Sequence, residues 1–87
     1  MLVDRQTRQT EIDSNLEYFL QILPQVLPSH RDRYALLRHR EVIDYFDTAN
    51  DTLIAAKHLF PDGIYSIQKV SEKPINLGIF ANAVHLG

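Results

Sequence analysis

Apolar residues recur along the first third of the chain with the spacing of one helical face. The positions are separated by four, three, four and three residues: Ile12, Leu16, Phe19, Leu23 and Val26. Thr10 or Ser14 is a candidate N-cap for this helix. Pro24 interrupts the pattern, so the sequence predicts either a kink there or an end near Leu23 followed by a short turn.

A second helical repeat follows later in the chain, and short β-type runs surround it. The helix stripe comprises Ala49, Leu53, Ala56 and Phe60. Thr48 and Asp51 form a capping-box variant at its start, and the turn-forming triplet at 61–63 (Pro-Asp-Gly) ends it. Runs rich in aliphatic and aromatic residues at 34–37, 42–46 and 64–67 predict three strands.

The predicted hairpin carries apolar side chains on both faces, because side chains alternate along a strand and neither alternate set is polar. We therefore expect an α+β fold in the order α-β-β-α-β, in which both helices pack on one face of a small sheet. The other face then needs the C-terminal residues or a second molecule as cover.

The chain length fits one domain, since 87 residues leave no room for a second core. We assign residues 1–9 to a flexible N-terminus, 10–73 to a single α+β domain and 74–87 to an apolar C-terminal tail. The tail is unexpectedly apolar for a chain end. It either wraps back over the open sheet face, with room for a short extra strand, or docks on a partner.

Charge is divided within the hairpin, although the whole chain has a net charge of only −2. Residues 29–40 contain four arginines and one aspartate, a net +3, whereas residues 41–51 contain four acidic residues and no basic one. The two halves can pair across a symmetric interface between copies, or remain in water, where exposed ion pairs contribute little. As an alternative function, the basic segment 30–40 could contact phosphate or nucleic acid through Arg31, Arg33, Arg38 and Arg40.

Composition excludes several kinds of chemistry. With no cysteine, disulfides, thiolate metal sites and cysteine nucleophiles are absent. The four histidines (His30, His39, His58 and His85) lack the spacing of a helical or strand metal site, and no glycine-rich phosphate loop occurs. We expect no cofactor and no metal. No apolar run approaches the ~20 residues of a membrane span, so we expect a cytoplasmic protein without a membrane partner.

Asp47 and Thr48, followed by Ala49, resemble the Asp-Thr-Gly turn of aspartic proteases, in which two aspartates share a proton. A homodimer would supply the second aspartate, which gives a remote alternative, a dimeric hydrolase using Asp47. Against it, alanine replaces the glycine, a helix is predicted immediately afterwards, and helix capping explains the threonine.

From residue 34 onward the chain resembles a group of small bacterial domains of unknown function. The matching stretches are 34–37, 41–48, 55–56, 60–61, 65–70 and 74–80. The resemblance implies the order helix, antiparallel hairpin, helix and last strand, and it brings no catalytic residue.

These observations favour a non-enzymatic protein-interaction module, a homodimer or an adaptor, whose partner is itself or another protein rather than nucleic acid. The residues predicted to contact the partner are Leu37, Ile43, Tyr45, Leu77, Ile79 and Phe80.

Overall fold

The computed structural model describes residues 5–73, which form two helices and one three-stranded sheet. The elements follow in the order α1 (Arg5–His30), β1 (Tyr34–Leu37), β2 (Val42–Phe46), α2 (Ala49–Leu59) and β3 (Ser66–Lys69). The predicted α+β class and the α-β-β-α-β order are therefore confirmed. The predicted tail at 74–87 lies outside the described residues.

The sheet has the strand order β2-β1-β3, so the first strand in sequence is the middle one. Both of its ladders are antiparallel; Leu36 lies opposite Asp44 in β2 and Ile67 in β3. The register with β2 then shifts, because Leu37 lies opposite Val42 rather than Ile43. This bulge places one extra residue in β2.

The two helices cover opposite faces of the sheet, so the expectation that both pack on one face is wrong. Phe19 of α1 forms a buried cluster with Ala35, Leu37 and Val70. Ala56 of α2 packs on the other side against Leu36 and Ile67. Alternate residues of β1 point to opposite faces, and each face has its own helix. No open face remains for the tail to cover within this part of the chain.

The bulge also changes which β2 side chains share a face. Strict alternation places Val42 with Phe46, but Val42 packs with Tyr45 against the α1 cluster, while Phe46 packs on the α2 side. One inserted residue swaps the faces to which the side chains beyond it point. A prediction that assumes strict alternation along the strand therefore assigns Val42 to the wrong face.

Helix α1 is longer than the sequence suggested and runs through both of its prolines. It begins at Arg5, so Thr10 and Ser14 lie inside it rather than at its N-cap, and it continues past Pro24 and Pro28 to His30. An interior proline costs about 3 kcal/mol through its missing N–H and its clash with the preceding turn. The predicted stripe offsets this cost by burying Ile12 and Phe19 and by packing further apolar residues on the sheet.

Helix α2 begins as the sequence predicted. The Thr48 hydroxyl accepts a hydrogen bond of 3.0 Å from the Asp51 amide. At the other end the Gly63 amide donates to the Phe60 carbonyl, and Gly63 has a φ of +80°, which residues with a Cβ rarely adopt. The Pro-Asp-Gly turn therefore directs the chain back toward β3.

Candidate functional site

The outer edge of β2 is the candidate site, because its central residue points its backbone groups away from the sheet. The Val70 amide donates to the Arg33 carbonyl at 2.8 Å, so the odd-numbered residues of β1 face β3 and the even-numbered ones face β2. By the register, Asp44 and Phe46 then bond to β1, whereas the Tyr45 N–H and C=O point outward. Within residues 5–73 no strand pairs with this edge.

The Asp44 side chain occupies the outward amide of its neighbour. Its Oδ1 accepts a hydrogen bond of 2.7 Å from the Tyr45 N–H, which agrees with the direction deduced from the ladder. A charged side chain on an edge strand discourages indiscriminate pairing with other strands. Any incoming strand must displace Asp44 before it can bond to this amide.

Ile43, the residue at the bulge, is 38% exposed beside this edge. Tyr45 is half-buried, and its ring packs against the ring of His30, with 3.8 Å between the ring centroids and the planes tilted by 40°. Burial, with Tyr18 nearby, raises the pKa of the Tyr45 hydroxyl. A neutral phenol therefore anchors the edge strand to α1.

The other residues predicted to contact a partner are placed differently. Leu37 is fully buried beneath α1, so its side chain cannot reach a partner while the domain is folded. Leu77, Ile79 and Phe80 lie outside the described residues. Of the predicted set, the structure thus brings Ile43 and Tyr45 together on one edge.

Each arginine of the predicted basic segment has a carboxylate partner within the chain. Arg33 pairs with Asp47 at 3.5 Å, which joins the basic and acidic halves of the hairpin internally. The remaining pairs, at 2.9–3.1 Å, are Arg31 with Glu72, Arg38 with Asp62 and Arg40 with Glu17. These pairs neutralise the segment on which nucleic-acid contact would depend.

The Arg38–Asp62 pair is the most enclosed of these contacts. The Arg38 guanidinium bonds both Asp62 oxygens and the Ile64 carbonyl, and it lies 4.6 Å from the centroid of the Phe60 ring. The Ile64 amide and Arg38 together lower the pKa of Asp62 below its usual value. The contact ties the β1 end of the hairpin to the turn before β3.

Sequence reasoning missed a polar cluster that holds the hairpin turn against α1. Asn15 is fully buried; its Oδ1 accepts from the Arg40 amide at 2.7 Å, and its Nδ2 donates to Glu11 at 3.0 Å. Glu11 also accepts from the His39 amide and lies 3.1 Å from His39 Nδ1. The signal was present as two polar residues four apart, Glu11 and Asn15, beside the apolar stripe.

The turn held by this cluster contains two residues in an unfavourable backbone conformation. His39 and Arg40 have φ values of +52° and +60°, the pattern of a type I′ hairpin turn, which glycine and asparagine normally occupy. Since neither residue is of that kind, the side chains from α1 compensate for the strain. The cluster is fully explained by this structural role.

Other predicted chemistry finds little support in the geometry. Asp47 is exposed and ion-paired with Arg33, and Thr48 caps α2, which is the structural role expected for the Asp-Thr pair. Among residues 5–73 no group of three or more His, Asp or Glu side chains could hold a metal ion. In the sequence Asp44 is one of four acidic residues at 41–51, and its place at the sheet edge depends on a strand order that the sequence does not show.

Comparisons of the chain with protein-family models, curated proteins and solved structures each found no match. The resemblance to small bacterial domains therefore gains no support from them. No helix within residues 5–73 is long and apolar enough to cross a membrane. The function is therefore inferred from the contacts and exposure of the residues described above.

Proposed function

We propose that this chain is a protein-interaction module without catalysis, and that it binds an extended segment of a partner along the free edge of β2. The observation that carries the proposal is the outward direction of the Tyr45 N–H and C=O, which form one hydrogen-bonding pair that an added strand can use once Asp44 has left the amide. Ile43 supplies exposed apolar surface beside that pair.

Strand addition fits the covered sheet better than binding through a sheet face. Both faces are occupied by helices, so an edge is where a partner reaches the sheet without unfolding an element. In this mode backbone hydrogen bonds provide affinity and alternate side chains provide specificity. The partner is another protein or a second copy of the chain, in keeping with a homodimer or an adaptor.

The test is an NMR titration of the full chain with a blocked, uncharged peptide of alternating valine and threonine. We expect chemical-shift changes centred on the Tyr45 amide and slower hydrogen exchange there. Ile43→Lys should abolish the changes by removing the apolar contact, whereas Ile54→Lys, at an exposed position on α2, is the matched control. Shifts confined to α2 or to β3, or none at all with any strand-forming peptide, would overturn the proposal.

The solution mass then separates a second copy from a different partner. Light scattering is measured for the full chain and for a chain ending at Glu72. A dimer that becomes a monomer on shortening would identify the tail of another copy as the occupant of an interface. A monomer in both cases removes self-assembly and leaves the adaptor function.

A further inference from the structure

The free edge of β2 has an acidic character that the rest of the hairpin does not neutralise. Asp44 lies in the strand and Glu41 directly precedes it; both are exposed, and neither forms an ion pair within residues 5–73. The next acidic residue, Asp47, forms an ion pair with Arg33. Two uncompensated carboxylates thus flank Ile43.

Asp44 couples this charge to the hydrogen-bonding groups of the edge. Its carboxylate accepts from the Tyr45 amide at 2.7 Å, and it must leave that amide when a strand adds. Because Asp44 is exposed, water hydrates the released carboxylate. A cation on the incoming strand gives the carboxylate a charge-assisted hydrogen bond in place of the amide, at the same moment that the backbone bond forms.

From these observations, and resting on the proposed function, we infer that the partner of the β2 edge is an extended segment carrying lysine or arginine at alternate positions. Side chains on one face of such a strand lie about 7 Å apart. Successive basic residues can therefore approach the carboxylates of Asp44 and Glu41 while the strand bonds to Tyr45.

Charge also argues against the two occupants that this chain itself provides. Antiparallel pairing of two β2 edges through Tyr45 would place the two Asp44 carboxylates diagonally across the ladder, where side chains still interact and like charges are unfavourable. The C-terminal residues 74–87 contain no Asp, Glu, Lys or Arg, and His85 is the single side chain among them that can become a cation, so they cannot supply basic residues at alternate positions. A basic strand from another protein has neither disadvantage.

The experiment compares four blocked peptides on the full-length protein by fluorescence anisotropy at low salt, with the Tyr45 amide followed by NMR. Three peptides alternate valine with lysine, threonine or glutamate, and the fourth has the sequence of residues 74–87. We expect the lysine peptide to bind about three- to tenfold more tightly than the threonine peptide, since two exposed ion pairs contribute little each and are screened by salt. Methylating alternate backbone nitrogens of the lysine peptide should remove its binding.

Variants of Asp44 separate charge from hydrogen bonding. Asp44→Asn retains an oxygen for the Tyr45 amide and should lose part of the preference for lysine, and the double variant with Glu41→Gln should lose the rest. Asp44→Ala should lose as much of the preference as Asp44→Asn and also bind the threonine peptide more tightly, because the amide is no longer occupied. Asp13→Asn, which removes a charge from an exposed position on α1, should change neither property.

The results distinguish failure of the inference from failure of the proposed function. Equal binding of the lysine and threonine peptides at Tyr45 would overturn the basic partner and leave strand addition standing. Tightest binding of the 74–87 peptide would also overturn the basic partner and leave strand addition standing, with the tail of the same chain or of a second copy as the occupant. A lysine preference that survives Asp44→Asn with Glu41→Gln, or that persists in the methylated peptide, would show attraction elsewhere and overturn the inference. Absence of any change at Tyr45 with all four peptides would overturn both.

Discussion

Replacing Asn15 by alanine is expected to destabilise the domain more than any exposed substitution on the same helix. The side chain is fully buried between α1 and the hairpin turn. It accepts a hydrogen bond of 2.7 Å from the Arg40 amide and donates one of 3.0 Å to the Glu11 carboxylate. Alanine removes both bonds, together with a weaker one of 3.4 Å to the Leu37 carbonyl, and leaves the Arg40 amide without its acceptor, while Glu11 keeps its bond from the His39 amide.

The magnitude follows from these two contacts. A hydrogen bond to a charged group contributes about 1.5–3 kcal/mol, and a buried amide left without an acceptor costs about 1–3 kcal/mol. Since the Arg40 amide is only partly buried, we expect a total loss of about 3 kcal/mol in the free energy of unfolding. A domain of this length has about 4–13 kcal/mol in all, so the loss is a large fraction.

The assay is urea unfolding followed by far-ultraviolet circular dichroism, with Asn50→Ala as the matched control. Asn50 is exposed in the first turn of α2, and its replacement should change stability by less than about 0.5 kcal/mol. If Asn15→Ala costs no more than this control, the cluster does not hold the turn and the reasoning from its hydrogen bonds is refuted.

Three further substitutions test other contacts of the fold. Arg40→Gly should raise the free energy of unfolding by about 0.5–1 kcal/mol in the same urea assay, because glycine adopts a positive φ freely and the exposed pair with Glu17 contributes little; a loss of stability would contradict a strained turn. Asp62→Asn should destabilise at neutral pH but not near pH 2: the lowered pKa of Asp62 means that its contribution is present above the unfolded pKa of about 3.9 and lost as pH falls through the folded value. Urea titrations at several pH values check this, and a difference independent of pH would be inconsistent with the Arg38 contact. Thr48→Ala should lower the free energy of unfolding by about 1 kcal/mol, which is observed as a lower thermal midpoint. Thr48→Ser should retain most of the cap.

The elements were predictable from the sequence because their signals are local. The stripe containing Ile12 and Phe19, the Thr48 cap and the turn at Gly63 each depend on residues within one or two turns of chain. The extent of α1 was not predictable in this way. Prolines normally end helices, and only packing on the sheet explains why the helix continues through Pro24.

Arrangement in space required information that no local pattern contains. An amphipathic stripe shows that a helix covers something, but not which face of the sheet it covers. The bulge beside Ile43 and the bond from Asn15 to the Arg40 amide join elements that are distant in sequence. The free β2 edge depends on strand order, so its outward Tyr45 amide could not be identified from the sequence, although Ile43 and Tyr45 were already candidates.

Because β1 is the middle strand, its two ladders close over very different lengths of chain. The β1–β2 pairs are 5 to 12 residues apart, whereas the β1–β3 pairs are 29 to 35 apart. The shortest loop that pairs β1 with β3 costs about 1.5 kcal/mol more in chain entropy than the shortest loop that pairs β1 with β2. The hairpin is therefore expected to form before β3 pairs with β1. During that interval the side of β1 that later receives β3 is also unpaired, and the strand there (Tyr34–Leu37) contains no charged residue. Losses to aggregation during refolding should therefore begin at this temporary edge rather than at the acidic outer edge of β2.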